Sequence, residues 1–154
     1  MALLLDGAHA AERQPTRAMM EPVNGLAAFM STLRAGEHAA VFASRGLCII
    51  ENFSPFIFCG PDAAARWEAG FRAHAVGLSQ LAAAFGEACD FSMSGNRVYF
   101  SLPTTWTGYT AGRRFEEHGA WSFVLERQGV ATESGPWRIS GYGWGVTAYS
   151  ETAP

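Results

Sequence analysis

The spacing of hydrophobic positions changes partway along the chain. In the first half, apolar side chains recur every three or four residues, which is typical of helices. After Gln80 apolar and polar side chains alternate, which is typical of strands. The pattern predicts three helices, at residues 21–36, 37–44 and 62–78. It also predicts four long strands, at residues 81–93, 97–109, 113–128 and 137–150. Turn sequences such as Ser94-Gly95-Asn96 separate these strands.

The segment from Leu47 to Cys59 is apolar, β-branched or aromatic, with a Ser-Pro break in its middle. It predicts one or two short strands between the second and third helices. Glu51 is the only charged residue in this segment. A carboxylate in an apolar strand has a raised pKa, and it is either paired or functional. Glu51 therefore marks the position where we expect a pocket.

The order of these elements predicts a single α+β domain over residues 21–150, with an antiparallel curved sheet and helices on one face. Residues 1–20 and 151–154 are expected to be tails. Pro103, inside the second long strand, predicts a bulge or an irregularity at the sheet edge.

Composition limits the kinds of partner. The 154 residues carry a net charge of −3, and no basic cluster is larger than Arg113-Arg114, which argues against a nucleic acid or an anionic membrane surface. All eleven basic residues are Arg, so mechanisms that need a lysine are excluded. We expect a cytoplasmic protein, because the apolar start of the chain is too short for a signal peptide and no apolar segment is long enough to span a membrane.

Cysteine and histidine spacing predicts no metal site. The three cysteines match no zinc pattern, and the four histidines are scattered along the chain. Cys48 and Cys59 lie in apolar surroundings, where we expect reduced thiols that pack as small hydrophobic side chains. No cofactor is predicted.

Three segments together resemble the nuclear transport factor 2-like superfamily, which includes ketosteroid isomerases, scytalone dehydratases and SnoaL-like polyketide cyclases. They are Ile49–Phe56 followed by Gly60-Pro61-Asp62 and Trp67, Glu117–Leu125, and Gly135–Ile139 leading to Tyr142, Trp144 and Val146. The resemblance covers about residues 21–150. It implies a cone-shaped curved antiparallel sheet packed on three N-terminal helices, and a homodimer.

In ketosteroid isomerase-like members, a carboxylate on the strand before the glycine of the third helix acts as general base. Counted back from Gly60, Glu51 stands at the matching position. The partners of that base differ here, because Phe29 and Met30 stand where the first helix would supply a tyrosine. Trp121 stands where the second acid would be. An indole N–H of Trp121 or Trp106 could replace these donors at a developing oxyanion.

The aromatic residues of the strands predict the wall of a pocket. In the last strand Tyr142, Trp144 and Val146 share one face, and three glycines share the other. Such a wall suits a flat, apolar or aromatic small molecule. The predicted ligand-binding residues are Phe53, Tyr99, Trp106, Trp121, Tyr142 and Trp144. His118 is a second catalytic candidate, although strand alternation places it on the face opposite Trp121.

Two hypotheses follow for the function. In the first, the protein is a cofactor-free isomerase, dehydratase or cyclase that uses Glu51 as general base. In the second, it is a non-catalytic ligand-binding or dimerisation module whose cavity is filled by its own aromatic side chains. An open cavity that reaches Glu51 would favour the first, and a filled one the second.

Overall fold

The computed structural model describes residues 14–33, 40–129 and 135–152. Within them, two α-helices and seven β-strands follow one another along the chain. They are α1 (Arg17–Thr32), β1 (Cys48–Ile50), β2 (Ile57–Cys59), α2 (Ala63–His74), β3 (Leu78–Phe85), β4 (Cys89–Ser94), β5 (Arg97–Thr110), β6 (Arg113–Arg127) and β7 (Trp137–Thr152). The predicted α+β class is confirmed. None of the described helices is long and apolar enough to cross a membrane.

All seven strands form one sheet in the order β2-β1-β7-β6-β5-β3, and β4 pairs with β5 beside β3. The expectation of a purely antiparallel sheet is wrong, because β1 runs parallel to β7. Most of the domain, from β2 through β6, lies between these two strands in sequence, so no hairpin forces them to be antiparallel. The long antiparallel ladders β5–β6 and β6–β7 make up the centre of the sheet.

Helix α1 begins at Arg17, four residues before the predicted start. The hydroxyl of Thr16 accepts a hydrogen bond from the backbone N–H of Met19 and caps the first turn. Pro22 lies inside the helix. Residues 1–13 of the predicted N-terminal tail lie outside the described residues.

Of the predicted second helix at residues 37–44, the structure describes one 3₁₀-helical residue, Ala40, and residues 41–44 are not helical. Phe42 forms an isolated parallel bridge with Ile139 of β7, through hydrogen bonds of 2.9 Å from Ala43 N–H and 2.8 Å to Val41 C=O. Valine and phenylalanine are favoured in strands, and here pairing with the sheet replaces a short helix. Residues 37–39 lie outside the described residues.

The predicted strand over residues 81–93 is two strands, β3 and β4, which pair with successive parts of β5. Pro103 of β5 stands opposite the connection between them, and its carbonyl accepts a hydrogen bond from Gly86 N–H. Proline has no N–H to donate to a neighbouring strand, so Pro103 is well placed where β5 has no paired strand between β3 and β4. The predicted irregularity at Pro103 is therefore a gap at the sheet edge.

Cys48 and Cys59 stand directly opposite each other in the β1–β2 pair and form a disulfide. This corrects the prediction of two reduced, buried thiols. The Ser54-Pro55 turn, whose peptide bond is cis, folds the two strands back on each other. Cys48 is also exposed rather than packed in the core. The third cysteine, Cys89, is a free thiol.

The core lies between the two helices and one face of the sheet, which we call the inner face. On β6 this face carries every second residue, from Phe115 through Trp121 to Leu125. Trp67 of α2 packs edge-on against Tyr142 of β7, with ring centroids 6.2 Å apart. The inner face and the helices thus enclose the space in which a ligand site can form.

Candidate active site

A cavity of about 240 Å³ opens between the helices and the inner face. Seven of its lining residues are aromatic: Phe53, Phe71, Trp106, Phe115, Trp121, Trp144 and Tyr149. Its polar lining includes two carboxylates, Glu51 and Glu117, and the imidazole of His74. The cavity is therefore mainly apolar, with a few groups able to exchange a proton or a hydrogen bond.

Glu51 is held from two sides of the fold. It follows β1 directly, and its backbone N–H donates to the carbonyl of Phe56 at 2.9 Å. Its Oε1 accepts a 3.0 Å hydrogen bond from the indole Nε1 of Trp67 on α2. The same oxygen accepts a hydrogen bond from the hydroxyl of Tyr142 on β7. The side chain is thus fixed in one position at the wall of the cavity.

Burial raises the pKa of the Glu51 carboxyl, and only 6% of the residue is exposed. The hydrogen bonds from Tyr142, Trp67 and the backbone of Asn52 lower this pKa in part, and the negative charge of Glu117 raises it further. Burial also raises the pKa of Tyr142 well above its ordinary value, and the Glu51 charge adds to this shift. Tyr142 therefore keeps its proton and remains a hydrogen-bond donor to Glu51.

Glu117 is the second carboxylate of the cavity, and sequence reasoning did not single it out. It is half-buried on β6, and its Oε1 accepts a 3.2 Å hydrogen bond from Trp144 Nε1 on β7. Burial raises its pKa, while the Trp144 hydrogen bond and the charge of His74 lower it. Strand alternation could have found it, because Glu117 has the same parity as Trp121 and is thus a charge on an apolar face.

His74 lies at the C-terminal end of α2 and reaches the same cavity. Its ring stacks on Phe53, with centroids 5.0 Å apart and planes 20° from parallel. Sequence reasoning gave His74 no role. With Glu117 near enough to interact electrostatically, His74 forms a second group able to donate or accept a proton.

Trp121 differs from the other indoles of the site. The N–H groups of Trp67 and Trp144 each donate to a carboxylate. Trp121 is 1% exposed, and its Nε1 has no hydrogen-bond partner among the described residues. Buried polar groups are nearly always hydrogen-bonded, so this unpaired donor is an exception within the packed aromatic core.

The structure separates the predicted site residues into three groups. Phe53, Trp106, Trp121 and Trp144 line the cavity together with Glu51. Tyr142 takes part through its hydrogen bond to Glu51. Tyr99 and His118 lie on the outer face, away from the cavity.

The outer-face position of these two residues follows from the strand register. Tyr99 stands opposite Val124 of β6, and the next pair, Phe100 and Phe123, faces inward. Tyr99 therefore faces outward. His118 is exposed, and its ring nitrogens contact Thr105 Oγ1 at 3.0 Å and Glu116 Oε1 at 2.6 Å. His118 is thus not placed to act on a ligand in the cavity.

Gly119 makes room for the Trp144 ring. A methyl group at position 119 would collide with that ring and with the carbonyl of Gly145. We expect Gly119→Ala to lower the free energy of unfolding by about 1–3 kcal/mol and to displace Trp144 from Glu117. Chemical denaturation measures the first effect, and tryptophan fluorescence reports the second. Gly145→Ala is the control, because nothing lies within 4 Å of its added Cβ. Equal losses in the two variants would contradict the proposed packing.

Comparisons with known proteins identify the fold. No family model matches the chain, and no curated protein sequence matches it. A hexachlorocyclohexane dehydrochlorinase from Novosphingobium barchaimii has a similar structure, with a TM-score of 0.71 and 11% identity over 88% of each chain. A candidate scytalone dehydratase from Novosphingobium aromaticivorans has a TM-score of 0.69 and 12% identity, over 90% of this chain and 87% of that one.

A candidate ketosteroid isomerase from Shewanella frigidimarina is also similar, with a TM-score of 0.62 and 16% identity, over 83% of this chain and 94% of that one. All three have the nuclear transport factor 2-like fold, and this chain has it too. The resemblance inferred from sequence is confirmed at the level of fold.

Proposed function

We propose that this protein, built on the nuclear transport factor 2-like fold, is a cofactor-free enzyme that moves a proton on a flat, apolar small molecule. One observation carries the proposal: an open, aromatic-lined cavity reaches the buried carboxylate of Glu51. A raised pKa makes a carboxylate a stronger base, provided that it is ionised. The donors Trp67 and Tyr142 favour the ionised form, because both hydrogen-bond to Oε1.

In the proposed reaction, Glu51 removes a proton from a carbon next to a carbonyl group. The C–H bond breaks, an O–H bond forms on Glu51, and the electron pair moves onto the carbonyl oxygen as an enolate. Because both side-chain donors contact Oε1, Oε2 is the oxygen that would take the proton. Return of the proton to another carbon gives isomerisation. Loss of a neighbouring hydroxyl as water gives dehydration.

The second acid–base group has a place in this scheme. His74, in its protonated form, would supply the proton that a leaving hydroxyl needs. The names of the similar solved structures, a dehydrochlorinase, a candidate dehydratase and a candidate isomerase, fit this reaction class. The homodimer and the cytoplasmic location inferred from sequence stay predictions.

Deuterium exchange tests the proposal without knowledge of the natural substrate. The probe is 2-tetralone, a flat bicyclic ketone with acidic C–H groups next to its carbonyl. We expect the protein to speed exchange of these hydrogens in D₂O above the buffer rate, as followed by ¹H NMR. The rate should rise with pH through an apparent pKa above the ordinary glutamate value of 4.5, because the base must be ionised and its pKa is raised.

Two other outcomes would count against the enzyme. If 2-tetralone binds without faster exchange, the protein is better described as a ligand-binding module, the second hypothesis from the sequence. If it neither binds nor exchanges, the cavity does not accept this class of molecule. Denatured protein at the same concentration controls for catalysis by surface groups.

A further inference from the structure

The Cys48–Cys59 disulfide closes the loop that carries the proposed base. We propose that this disulfide is a redox switch: the oxidised form holds Glu51 in its working position, and reduction releases it. The closed loop, residues 48–59, contains Glu51 and Phe53, two of the residues that line the cavity. The inference deepens the proposed function, because it concerns regulation of the same site, and it rests on that proposal for the role of Glu51.

The closed loop is attached to the sheet by short strands. β1 and β2 have three residues each, and β2 lies at the sheet edge, where its paired neighbour is β1. β1 in turn pairs with β7 through three residues. Short edge segments with few hydrogen bonds open locally at a low cost in free energy, and a cross-link between the two strands opposes such opening. The disulfide is thus a covalent restraint on a weakly paired segment.

Opening of this segment would act directly on the Glu51 carboxylate. Ile49 of β1 pairs with Tyr142 of β7, the tyrosine whose hydroxyl donates to Glu51. The backbone N–H of Glu51 also donates across the loop to the Phe56 carbonyl. A shift of β1 would disturb both contacts, and a displacement of about 1 Å can lower a catalysed rate by about 10²-fold.

Two buried side chains would keep the reduced loop attached to the domain. Ile49 and Phe58 are fully buried and belong to the hydrophobic core. Their burial stabilises the segment whether or not the two sulfur atoms are joined. Reduction should therefore loosen the loop without unfolding the domain, so that reoxidation can restore the site.

The switch needs an external dithiol as its reductant. A thiolate of that dithiol attacks one sulfur of the disulfide, and the Cys48–Cys59 bond breaks as a mixed disulfide forms. The second thiol of the reductant then closes the reductant's own disulfide and releases the protein. Two electrons and two protons have passed to the protein, which keeps two thiols. Cys48 is exposed, so a reductant can reach the bond.

Exchange of 2-tetralone by oxidised and reduced wild-type protein tests the switch. Dithiothreitol is the dithiol, and thiol titration should find one free thiol before reduction and three after it. We expect reduction to slow exchange by about 10–10²-fold and reoxidation to restore it. Equal exchange rates in the two states would overturn the inference, and so would a failure of the two thiols to pair under oxidising conditions.

Cys59→Ser removes the switch, because the disulfide cannot form. It should exchange 2-tetralone at the reduced rate with or without dithiothreitol. Cys89→Ser is the matched control, because Cys89 is a free thiol outside the closed loop, and it should keep the full response to reduction. If Cys59→Ser still responds, or if Cys89→Ser does not, another group is responsible and the inference is wrong.

The indole N–H resonances separate the switch from the proposed function. In ¹⁵N-labelled wild-type protein, reduction should shift the Trp67 resonance, because Trp67 donates to Glu51. The resonance of Trp137, which packs against Arg127, should stay in place, whereas unfolding would move both. If Trp67 shifts and exchange is absent in both states, the switch stands and the proposed function fails. If exchange is catalysed and Trp67 shifts no more than Trp137, the switch is wrong and the proposed function stands.

Discussion

Glu51→Gln is expected to lower the rate of 2-tetralone exchange by about 10²–10⁴-fold, the usual contribution of a positioned general base. Glutamine has nearly the same shape, and its amide oxygen can still accept from Trp67 and Tyr142. It cannot take up a proton at neutral pH. The cavity and the affinity for 2-tetralone should therefore change little. Exchange kinetics and NMR binding measurements on the same sample separate these two effects.

Glu117→Gln is the matched control, because it removes the other carboxylate of the cavity. It should cause a smaller loss of exchange. The negative charge of Glu117 raises the pKa of Glu51, so its removal should move the pH–rate profile to lower pH. If Glu117→Gln abolished exchange and Glu51→Gln did not, the base would be Glu117.

Trp67→Ala is expected to lower the free energy of unfolding by about 3–5 kcal/mol, the range for loss of a large buried aromatic side chain. Trp67 is fully buried, and its ring packs near Phe29, Phe42 and Phe71 at centroid distances of 5.5–5.7 Å. The variant would also remove a hydrogen bond from Glu51. Denaturant titration at several pH values measures the loss.

Trp67→Phe separates the hydrogen bond from the packing. It keeps most of the ring and removes the N–H that lowers the pKa of Glu51, so that pKa should rise further above 4.5. When a carboxyl has a higher pKa in the folded state than in the unfolded state, the folded protein loses stability as pH rises from the unfolded-state pKa through the folded-state pKa. The wild type and Trp67→Phe lose stability together until the folded-state pKa of wild-type Glu51, which already lies above 4.5, so the deficit of Trp67→Phe should grow as pH rises past that value. A deficit that stayed constant with pH would show that Trp67 contributes packing alone.

The long strands and the position of Glu51 could be predicted from local patterns. Period-two alternation located β5, β6 and β7 within a few residues, because each presents one face to the core. A single charge in an apolar segment marked Glu51, and its burial explains why that signal was clear. Local sequence patterns predict an element well when burial of one of its faces determines its conformation.

Features that depend on pairing between distant segments could not be predicted in the same way. The Cys48–Cys59 disulfide depends on the register of β1 against β2. The conformation of Val41–Ala43 depends on hydrogen bonds to Ile139, almost 100 residues later. Glu117 was missed because its neighbours Glu116 and His118 are also polar. Within such a run, Glu117 resembled an ordinary surface residue. The parity that Glu117 shares with Trp121 was the sequence signal that could have separated it from these neighbours.

Because Glu51 and Glu117 both line the cavity, its electrostatic potential distinguishes ligands by their charge. No arginine is among the residues that line it in the described part of the chain, so no cation of that kind offsets the two carboxylates. His74 is the basic side chain on the described lining, so a molecule that carries a carboxylate or phosphate would meet two carboxylates and at most one protonated imidazole. Uncharged molecules enter without that cost, so the cavity discriminates by ionisation state before any contact with the base is made.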